Sequence, residues 1–510
     1  GDLVIQPAIT ADYYNLSVDF SEDVDQEGVS ESVYLLTPSL TGSYTSNKVQ
    51  LSTRILAEET KHSEQDEQNS TFITYGVAGQ ADIIDNLLSL NGSVNKTYRS
   101  ASVQAGVFND SVFGSVNLIG VTNSALGLNL ATGNSRVLQV RSNLQFQRSK
   151  ANDDIDLTEF ESQGISRYDT KSALFDLAVK SPENSTVVWD LLMQTSESDR
   201  VQASNYRAST FRGYLGIPLN SSFAFTFNST VNKNQIANEQ ALSDGLTYKQ
   251  YGYGLQWIFT KESFLRLFNY SSKNGEQERR EFIGGEFNWV LSSRTRMMLT
   301  ADRNQFGEKY GFTLTQASRV LRTQITYNEG IDIESRNNFI SEKIDSYLPD
   351  GLSDPQTQED QSRDIFGQDI QLIDVVSRYQ TGQVSLSYDN QRKLKLFLAL
   401  NYSEKISIED TSSFGNLNRK ITGYSTSAAY AISPKTSITL NNSLSRSTFL
   451  DAEGVETGRV EDNKMWEVRL TSARSSSLNM TASISERDSN RLGQAYTDKR
   501  LQLGLKYTFN

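Results

Sequence analysis

The chain has 510 residues, of which 37% are hydrophobic, and its mean hydropathy of -0.48 is polar for a protein of this length. It contains no cysteine, which excludes disulfides, thiolate metal sites and covalent c-type haem within this chain. The net charge of -12 argues against a nucleic-acid-binding protein, which would carry a basic patch.

The distribution of hydrophobic residues favours a β-protein. No run of about 18 apolar residues is present, so no transmembrane helix is predicted. The apolar helices expected of a soluble chain this long are also lacking. Segments of about 10–14 residues instead alternate apolar and polar side chains, which is typical of a transmembrane β-barrel, where only one face of each strand meets lipid.

The first strands come in pairs. The alternation predicts a strand over Val4–Val18, an acidic loop over Ser21–Gly28 and a second strand over Val33–Thr45. Residues Tyr98–Gly120 show no clear alternation and are predicted to form a loop, followed by a strand over Val121–Ala131. The next predicted strand contains Arg141, Asn143 and Gln145 on its polar face. This face is too hydrophilic for a protein core and suits a water-filled lumen.

Tight turns set the predicted number of strands. Eleven are predicted, at 47–48, 85–86, 133–134, 183–184, 219–220, 261–262, 292–293, 318–319, 390–391, 434–435 and 475–476. They give about 24 strands (about 22–26), with both chain ends on the periplasmic side of the tight turns. The predicted fold is all-β: one transmembrane antiparallel barrel over residues 1–510, with longer acidic extracellular loops and no separate plug domain.

One connection is exceptionally long. Residues Ile331 to about Leu372 are rich in acidic side chains, contain Pro349 and Pro355, and show no strand pattern. A loop of this length inside a compact unit is usually functional or disordered. Its apolar residues, which include Phe339 and Tyr347, could hold the loop in place as a cap over the barrel or as an element inserted into the lumen. Disorder is the alternative.

The polar faces of the strands supply the candidate functional residues. Amides, hydroxyls and cationic side chains exchange hydrogen bonds with sugar hydroxyls, and a conduit needs such contacts to be weak and repeated. A generic hydrated lumen is the alternative for the same residues. The candidate lumen-facing residues are Gln50, Arg54, Arg141, Asn143, Gln145, Lys395, Asn401 and Lys506.

Residues for catalysis or metal binding do not occur in a recognisable spacing. The single histidine, His62, is predicted to be a solvent-exposed residue of an acidic outer loop. A lipase-like pairing of serine with histidine is therefore disfavoured, and no enzyme activity, metal site or cofactor is predicted. Close packing or a kink of the barrel explains the glycines within the strand patterns, which are Gly252, Gly254, Gly284, Gly285 and Gly311.

Aromatic residues concentrate near the ends of the predicted strands. This position suits girdles at the two interfaces of a membrane, and ordinary β-propensity is the alternative. The examples are Tyr13, Tyr44, Trp257, Trp289 and Tyr507.

The last strand has a distinctive ending. Gly504, Tyr507 and Phe509 follow the order glycine, any, any, aromatic, any, aromatic. This resembles the C-terminal signature of bacterial outer-membrane β-barrels, although Asn510 follows the aromatic residue that usually ends the chain. The resemblance implies recognition by the barrel-insertion machinery and a place in the outer membrane of a Gram-negative bacterium. A chain that opens at Gly1 is then expected to be a mature form whose export signal has been removed.

The start of the chain resembles a narrower family. Pro7 opens an alternating strand, Pro38 lies in the strand after an acidic loop, and a proline-containing loop runs from Leu348 to Phe366. This order is similar to that of the PEP-CTERM system-associated outer-membrane proteins, although the acidity of the late loop departs from their pattern. The resemblance implies exopolysaccharide as cargo and a periplasmic polysaccharide export protein as partner.

Three functions are compatible with these observations. The first is a conduit or scaffold for the export of secreted polysaccharide. The second is a structural sheath that holds a periplasmic protein, such as an electron-transfer cytochrome, across the membrane. The third is a surface receptor or adhesion barrel, in which the acidic outer loops matter more than the pore. In each case the partners include outer-membrane lipids and lipopolysaccharide. The acidic clusters are interpreted as solvated loops, and bridging to surface glycolipid through divalent cations is the alternative, although no ligand spacing is clear.

Overall fold

The structure is a computed structural model. It describes residues 1–20, 28–100, 112, 118–133, 137–151, 170–182, 185–200, 205–236, 246–275, 278–304, 307–334, 375–407, 418–451, 454–491 and 494–509. The first acidic loop up to residue 27, most of the predicted 98–120 loop, nearly all of the long 331–372 connection and Asn510 lie outside these residues.

The described residues form 24 β-strands and one short 3-10 helix, Asp66–Gln68. The predicted number of strands is therefore confirmed. The strands are β1 Asp2–Phe20, β2 Val29–Thr45, β3 Val49–His62, β4 Ser70–Ile84, β5 Leu88–Ser100, β6 Leu118–Ala131, β7 Gln139–Ala151, β8 Thr170–Lys180, β9 Val188–Arg200, β10 Tyr206–Pro218, β11 Phe223–Ile236, β12 Leu246–Ile258, β13 Phe264–Asn274, β14 Arg280–Ser292, β15 Thr295–Asn304, β16 Gly307–Ala317, β17 Leu321–Glu334, β18 Val375–Asp389, β19 Leu394–Ser407, β20 Arg419–Ser433, β21 Thr436–Leu450, β22 Glu456–Ala473, β23 Leu478–Arg491 and β24 Gln494–Thr508.

The strands close into a ring. All of them belong to one sheet, and each pairs antiparallel with its neighbour in sequence. The last strand pairs with the first, from Ala8 opposite Thr508 to Phe20 opposite Tyr496. A closed ring leaves no unpaired strand edge, which confirms the predicted antiparallel barrel.

The two ends of the barrel differ in the connections they carry. Every predicted tight turn falls between two consecutive strands at the end where β1 begins. Residues 134–136 and 183–184 of these turns lie outside the described part of the chain. Asn86 and Gln391 adopt left-handed backbone conformations in two of the turns, each with φ of 58°. A left-handed residue allows the chain to reverse direction within a few residues, and asparagine tolerates this conformation well.

Several strands are longer than predicted. Residues 98–100 belong to β5, residues 118–120 to β6, and residues 331–334 to β17, although all were predicted to lie in loops. These segments continue the strands toward the long connections, beyond the part of each strand that shows hydrophobic alternation. The hydrogen-bonded pairing of the strands continues there.

No helix among the described residues is long and apolar enough to cross a membrane.

The outward and inward faces follow from exposure and register. In β24, Leu501, Leu503, Leu505 and Tyr507 are 39–50% exposed, which marks the outward face. Residues opposite one another in paired strands share a face, so this assignment extends around the whole ring. Exposed aromatic residues occur near both ends of the outward face, as girdles require, and they include Tyr34, Tyr44, Trp257, Trp289 and Tyr507.

The seam between β24 and β1 explains the glycine of the C-terminal signature. Gly504 lies directly opposite Asp12, and a Cβ at this position would overlap Asp12 Oδ1. The same carboxylate oxygen accepts a hydrogen bond of 3.0 Å from Gln502 Nε2. Phe509 N donates to the carbonyl oxygen of Pro7 at 2.9 Å. The signature residues thus lie at the closing contact of the ring, and their recognition by the insertion machinery stays a prediction.

We expect Gly504→Ala to weaken the seam, because the new Cβ displaces the Asp12 carboxylate and breaks its bond to Gln502. Overpacking of this kind costs about 1–3 kcal/mol. The midpoint temperature of unfolding should therefore fall. It is measured by heating samples and following the loss of the band that the compact, folded barrel gives on a gel.

Gly382→Ala is the matched control, because a Cβ at Gly382 meets no atom closer than 3.7 Å. In an Asp12→Ala background, Gly504→Ala should have no further effect. Equal shifts for Gly504→Ala and Gly382→Ala would contradict this account of the seam.

Candidate functional site

The candidate lumen residues are distributed around the ring. The register places all of them on the face opposite the exposed apolar side chains: Gln50 and Arg54 on β3, Arg141, Asn143 and Gln145 on β7, Lys395 and Asn401 on β19, and Lys506 on β24. They do not form one site. Lys395 Nζ lies 3.5 Å from Asp389 Oδ2. A role of these residues in contacting cargo stays a prediction.

A denser site, absent from the sequence predictions, is centred on Arg266 of β13. Its Nη1 donates to Glu286 Oε2 at 3.0 Å, and its Nε donates to Gln256 Oε1 at 3.1 Å. The guanidinium carbon lies 4.5 Å from the centre of the Tyr214 ring and 4.1 Å from that of Phe264. Arg266 and Glu286 are only 21% and 27% exposed, so their mutual attraction is poorly screened by water.

An aromatic layer lies next to this ion pair. The Tyr270 ring stacks between Phe268 and Phe282, with ring centres 5.2 Å and 5.1 Å apart. It also fills the space where Gly252 and Gly284 lack side chains, because a Cβ at either position would collide with it. Close packing at the strand glycines is therefore confirmed. Asn228 Nδ2 donates to the Tyr270 hydroxyl at 3.3 Å.

A third group lies nearer the end of the long connections. The Tyr248 hydroxyl is 2.8 Å from Gln250 Oε1 and 2.7 Å from the carbonyl oxygen of Arg303. Gln250 Nε2 donates to Asp302 Oδ1 at 2.7 Å. Tyr248 and Gln250 are buried, which gives these hydrogen bonds a low-dielectric environment.

These groups form one continuous feature along the barrel wall. We call it the inner-wall column, and it runs through Tyr248, Gln250, Asp302, Asn228, Phe268, Tyr270, Phe282, Tyr214, Gln256, Arg266 and Glu286. It alternates aromatic faces with amide, carboxylate and guanidinium groups. Tyr248, Gln250, Phe268 and Tyr270 are buried within the column. Its partly exposed members, which include Tyr214, Arg266 and Glu286, can contact both the C–H faces and the hydroxyls of a sugar ring.

Sequence alternation alone could not reveal the column. In β12 the outward face carries Tyr251 and Tyr253, and the inward face carries Tyr248, so aromatic residues occur on both faces. The one available signal was the pair Gly252 and Gly254, because glycine in a strand often marks the close approach of a neighbouring group.

The structure contradicts the predicted exposure of His62. It is the last residue of β3, lies opposite Val33 of β2 and faces inward. Its Nδ1 is 3.0 Å from Glu31 Oε1, and both side chains are fully buried. The prediction failed because β3 and β2 continue beyond the apolar band. Within the described ranges, no three or more His, Asp or Glu side chains are grouped so as to hold a metal ion.

The architecture defines the class of protein. A closed antiparallel ring with an apolar outer band, aromatic residues at both edges of that band and a polar inner face is the form that strands take when they cross a bacterial outer membrane. The chain is therefore an outer-membrane β-barrel. No family model matches it, and no curated protein sequence matches it.

Several solved structures of outer-membrane proteins are similar in outline. The FrpB iron transporter from Neisseria meningitidis is 9% identical over 99% of this chain and 81% of that chain, with a TM-score of 0.47. The siderophore receptor PirA from Pseudomonas aeruginosa is 11% identical over 99% and 80%, with a TM-score of 0.37. The ferric enterobactin receptor PfeA from Pseudomonas aeruginosa is 9% identical over 98% and 81%, with a TM-score of 0.41. Likenesses this weak carry no inference about ligand or direction of transport.

We expect Arg266→Gln to destabilise the barrel by about 1–3 kcal/mol, because it leaves the half-buried Glu286 without its cationic partner. Glu286→Gln should cost less, and the double variant should recover part of the loss. Denaturant titration of the purified barrel measures all of these in one thermodynamic cycle. Strictly additive single-variant effects would show that the two side chains do not interact energetically.

Proposed function

We propose that this outer-membrane barrel is a gated transporter that binds a polyhydroxylated ligand along its inner wall. The observation that carries the proposal is the inner-wall column, in which aromatic faces alternate with hydrogen-bonding groups over most of the barrel height. A transported chain needs contacts that repeat along its path and are individually weak. A single tight pocket would hold such a ligand in place.

The polar groups of the column are already hydrogen-bonded to each other. Gln256 Oε1 accepts from both Tyr214 and Arg266, and Gln250 bridges Tyr248 and Asp302. A sugar hydroxyl that enters the column exchanges one hydrogen bond for another. The net free energy of each contact is therefore small, which suits passage more than storage.

The two halves of the inner face differ in exposure, and this difference supports a gate. Toward the tight-turn end, Gln50, Arg54 and Arg141 are exposed on the inner face. Toward the opposite end, Leu16, Val18 and Val33 are fully buried on the same face. The inner face is therefore accessible at these three positions near the tight turns, and it is covered at Leu16, Val18 and Val33 near the opposite end.

Export of secreted polysaccharide is the first specific version of this proposal. A polysaccharide arriving from the periplasm would meet the accessible half first and would need only the outer gate to open. The partner in this version is a periplasmic polysaccharide export protein docked at the tight-turn end, where β1 begins and β24 ends.

A surface receptor is the second version, and the burial of Leu16, Val18 and Val33 favours it. A receptor captures its ligand at the outer surface and keeps its lumen closed until transport begins. A structural sheath around a periplasmic protein is the third version, and the accessible inner face at Gln50 and Arg54 leaves room for a partner at that end.

The proposal can be tested by single-channel recording of the barrel in planar bilayers, with neutral dextran oligosaccharides added to one side at a time. We expect the oligosaccharides to block the ionic current. The combination Tyr214→Ala, Arg266→Gln and Glu286→Gln should weaken the block about tenfold, the equivalent of about 1.4 kcal/mol. Tyr430→Ala, an exposed residue on the outward face, is the control.

The side of addition separates the specific versions. A block from the periplasmic side supports export, and a block from the outer side supports reception. A barrel that conducts no current and co-purifies with a periplasmic protein supports the sheath. A block of equal strength in the wild-type and the triple variant would contradict the proposed role of the column.

A further inference from the structure

A groove crosses the outward face of the barrel between β3 and β9. Its volume is about 880 Å³, and its apolar walls include Leu51, Val77, Val94, Leu126 and Phe146. This volume falls in the range of small-molecule and lipid sites, about 300–1,000 Å³. We call this feature the outer groove. It lies on the side of the wall opposite the lumen, so it is independent of the inner-wall column and of the transport proposal.

The base of the outer groove is formed by two glycines. Gly79 of β4 lies directly opposite Gly92 of β5, with Leu51 on the far side of one and Leu126 on the far side of the other. Many other positions on the outward face carry Leu, Ile, Val and aromatic side chains. The two missing side chains therefore leave an apolar channel against the sheet, flanked by Leu51 and Leu126.

Basic side chains border the outer end of the groove. Arg148 of β7 lies directly opposite Lys171 of β8, and both line the groove and are exposed. Lys96 of β5 and Lys150 of β7 also face outward and lie at either side of Thr122. Four cationic side chains thus lie near one another on this part of the outward face.

Acidic residues line the side of the groove that β9 forms. Glu197 and Asp199 of β9 complete the lining, with Asp199 opposite Lys171. The groove is thus apolar where it crosses the middle of the outward face and charged where β7, β8 and β9 approach the long connections. This is the polarity of a lipid whose acyl chains lie in the membrane and whose head group lies at the outer surface.

We infer that the outer groove binds the phosphorylated glycolipid of the outer leaflet, with an acyl chain over Gly79 and Gly92 and a phosphate at Arg148 and Lys171. Guanidinium and ammonium groups form strong charge-assisted hydrogen bonds with phosphate oxygens. Glu197 and Asp199 accept hydrogen bonds from the sugar hydroxyls of the same head group.

The position of the charges selects this lipid over other occupants. The cations lie toward the end of the long connections, which is the level of the outer-leaflet head groups, whereas phospholipid head groups of the inner leaflet would lie at the tight turns. A second copy of the barrel would need a broad complementary surface. The channel over the two glycines is flanked by Leu51 and Leu126, an apolar setting that suits a hydrocarbon chain.

The test uses the purified full-length barrel in mild detergent and two variants that alter different parts of the groove. Arg148→Gln with Lys171→Gln removes the phosphate contacts. Gly79→Leu with Gly92→Leu fills the apolar channel and leaves the cations in place. Native mass spectrometry measures binding of a phosphorylated, acylated diglucosamine lipid, its dephosphorylated form and phosphatidylethanolamine.

We expect the phosphorylated lipid to bind the wild-type barrel at one site and each variant at least about tenfold more weakly, the equivalent of about 1.4 kcal/mol. The dephosphorylated lipid should bind the wild-type as weakly as the phosphorylated lipid binds the charge variant. Lys249→Gln with Lys273→Gln is the matched control, because these cations also lie opposite each other on the outward face but outside the outer groove.

Three results would count against the inference. The first is equal binding of the phosphorylated lipid to the wild-type barrel and to a charge variant that retains its folded gel mobility. The second is a wild-type dimer that the glycine variant abolishes, since it would show that another copy of the chain occupies the groove. Equal binding of phosphatidylethanolamine and the phosphorylated glycolipid would also count against it.

Discussion

The constraint on which the structure depends is the satisfaction of backbone hydrogen bonds in a medium without water. Hydrocarbon offers no partner for an amide N–H or a carbonyl oxygen, so every strand that crosses it must be paired on both sides. In this chain the requirement is met when β24 pairs with β1 along nearly the whole of β24. Closure then gives each strand one face toward lipid and one toward the interior, and the two functional features lie on opposite sides of the same wall.

Glycine has a related role at three places in this wall. At the seam, Gly504 leaves space for the Asp12 carboxylate; beside the inner-wall column, Gly252 and Gly284 leave space for the Tyr270 ring. On the outward face, Gly79 and Gly92 lie beside Leu51 and Leu126, whose Cδ1 atoms are 3.2 Å and 3.6 Å from where a Cβ would be. In all three cases a side chain of a neighbouring strand occupies or adjoins the space that the glycine leaves.

The fold could be predicted from the sequence because its determinants are local. Each tight turn depends on a few adjacent residues, such as Asn86 and Gln391 with their left-handed backbone, and each membrane-crossing segment alternates within itself. The column and the outer groove depend instead on which residues become neighbours across strands. Arg266 meets Glu286 and Gln256 only after register is fixed, and Gly79 meets Gly92 in the same way. His62 was misplaced for a related reason, because pairing extends β3 past the point where alternation ends.

The seam also has a consequence for biogenesis. The hydrogen bond from Gln502 to Asp12 joins residues separated by 490 positions, so the final contact waits for nearly the entire polypeptide. Contacts of such long sequence separation form slowly, and until then β1 and the growing strand at the other margin each expose an unsatisfied row of amides and carbonyls. Incomplete chains therefore expose two unpaired strand edges at once, and each edge can pair with another chain. A cellular catalyst that shields both strand edges until they pair would suppress aggregation in the periplasm. A prematurely terminated chain could not close its barrel and would be a substrate for quality-control proteases.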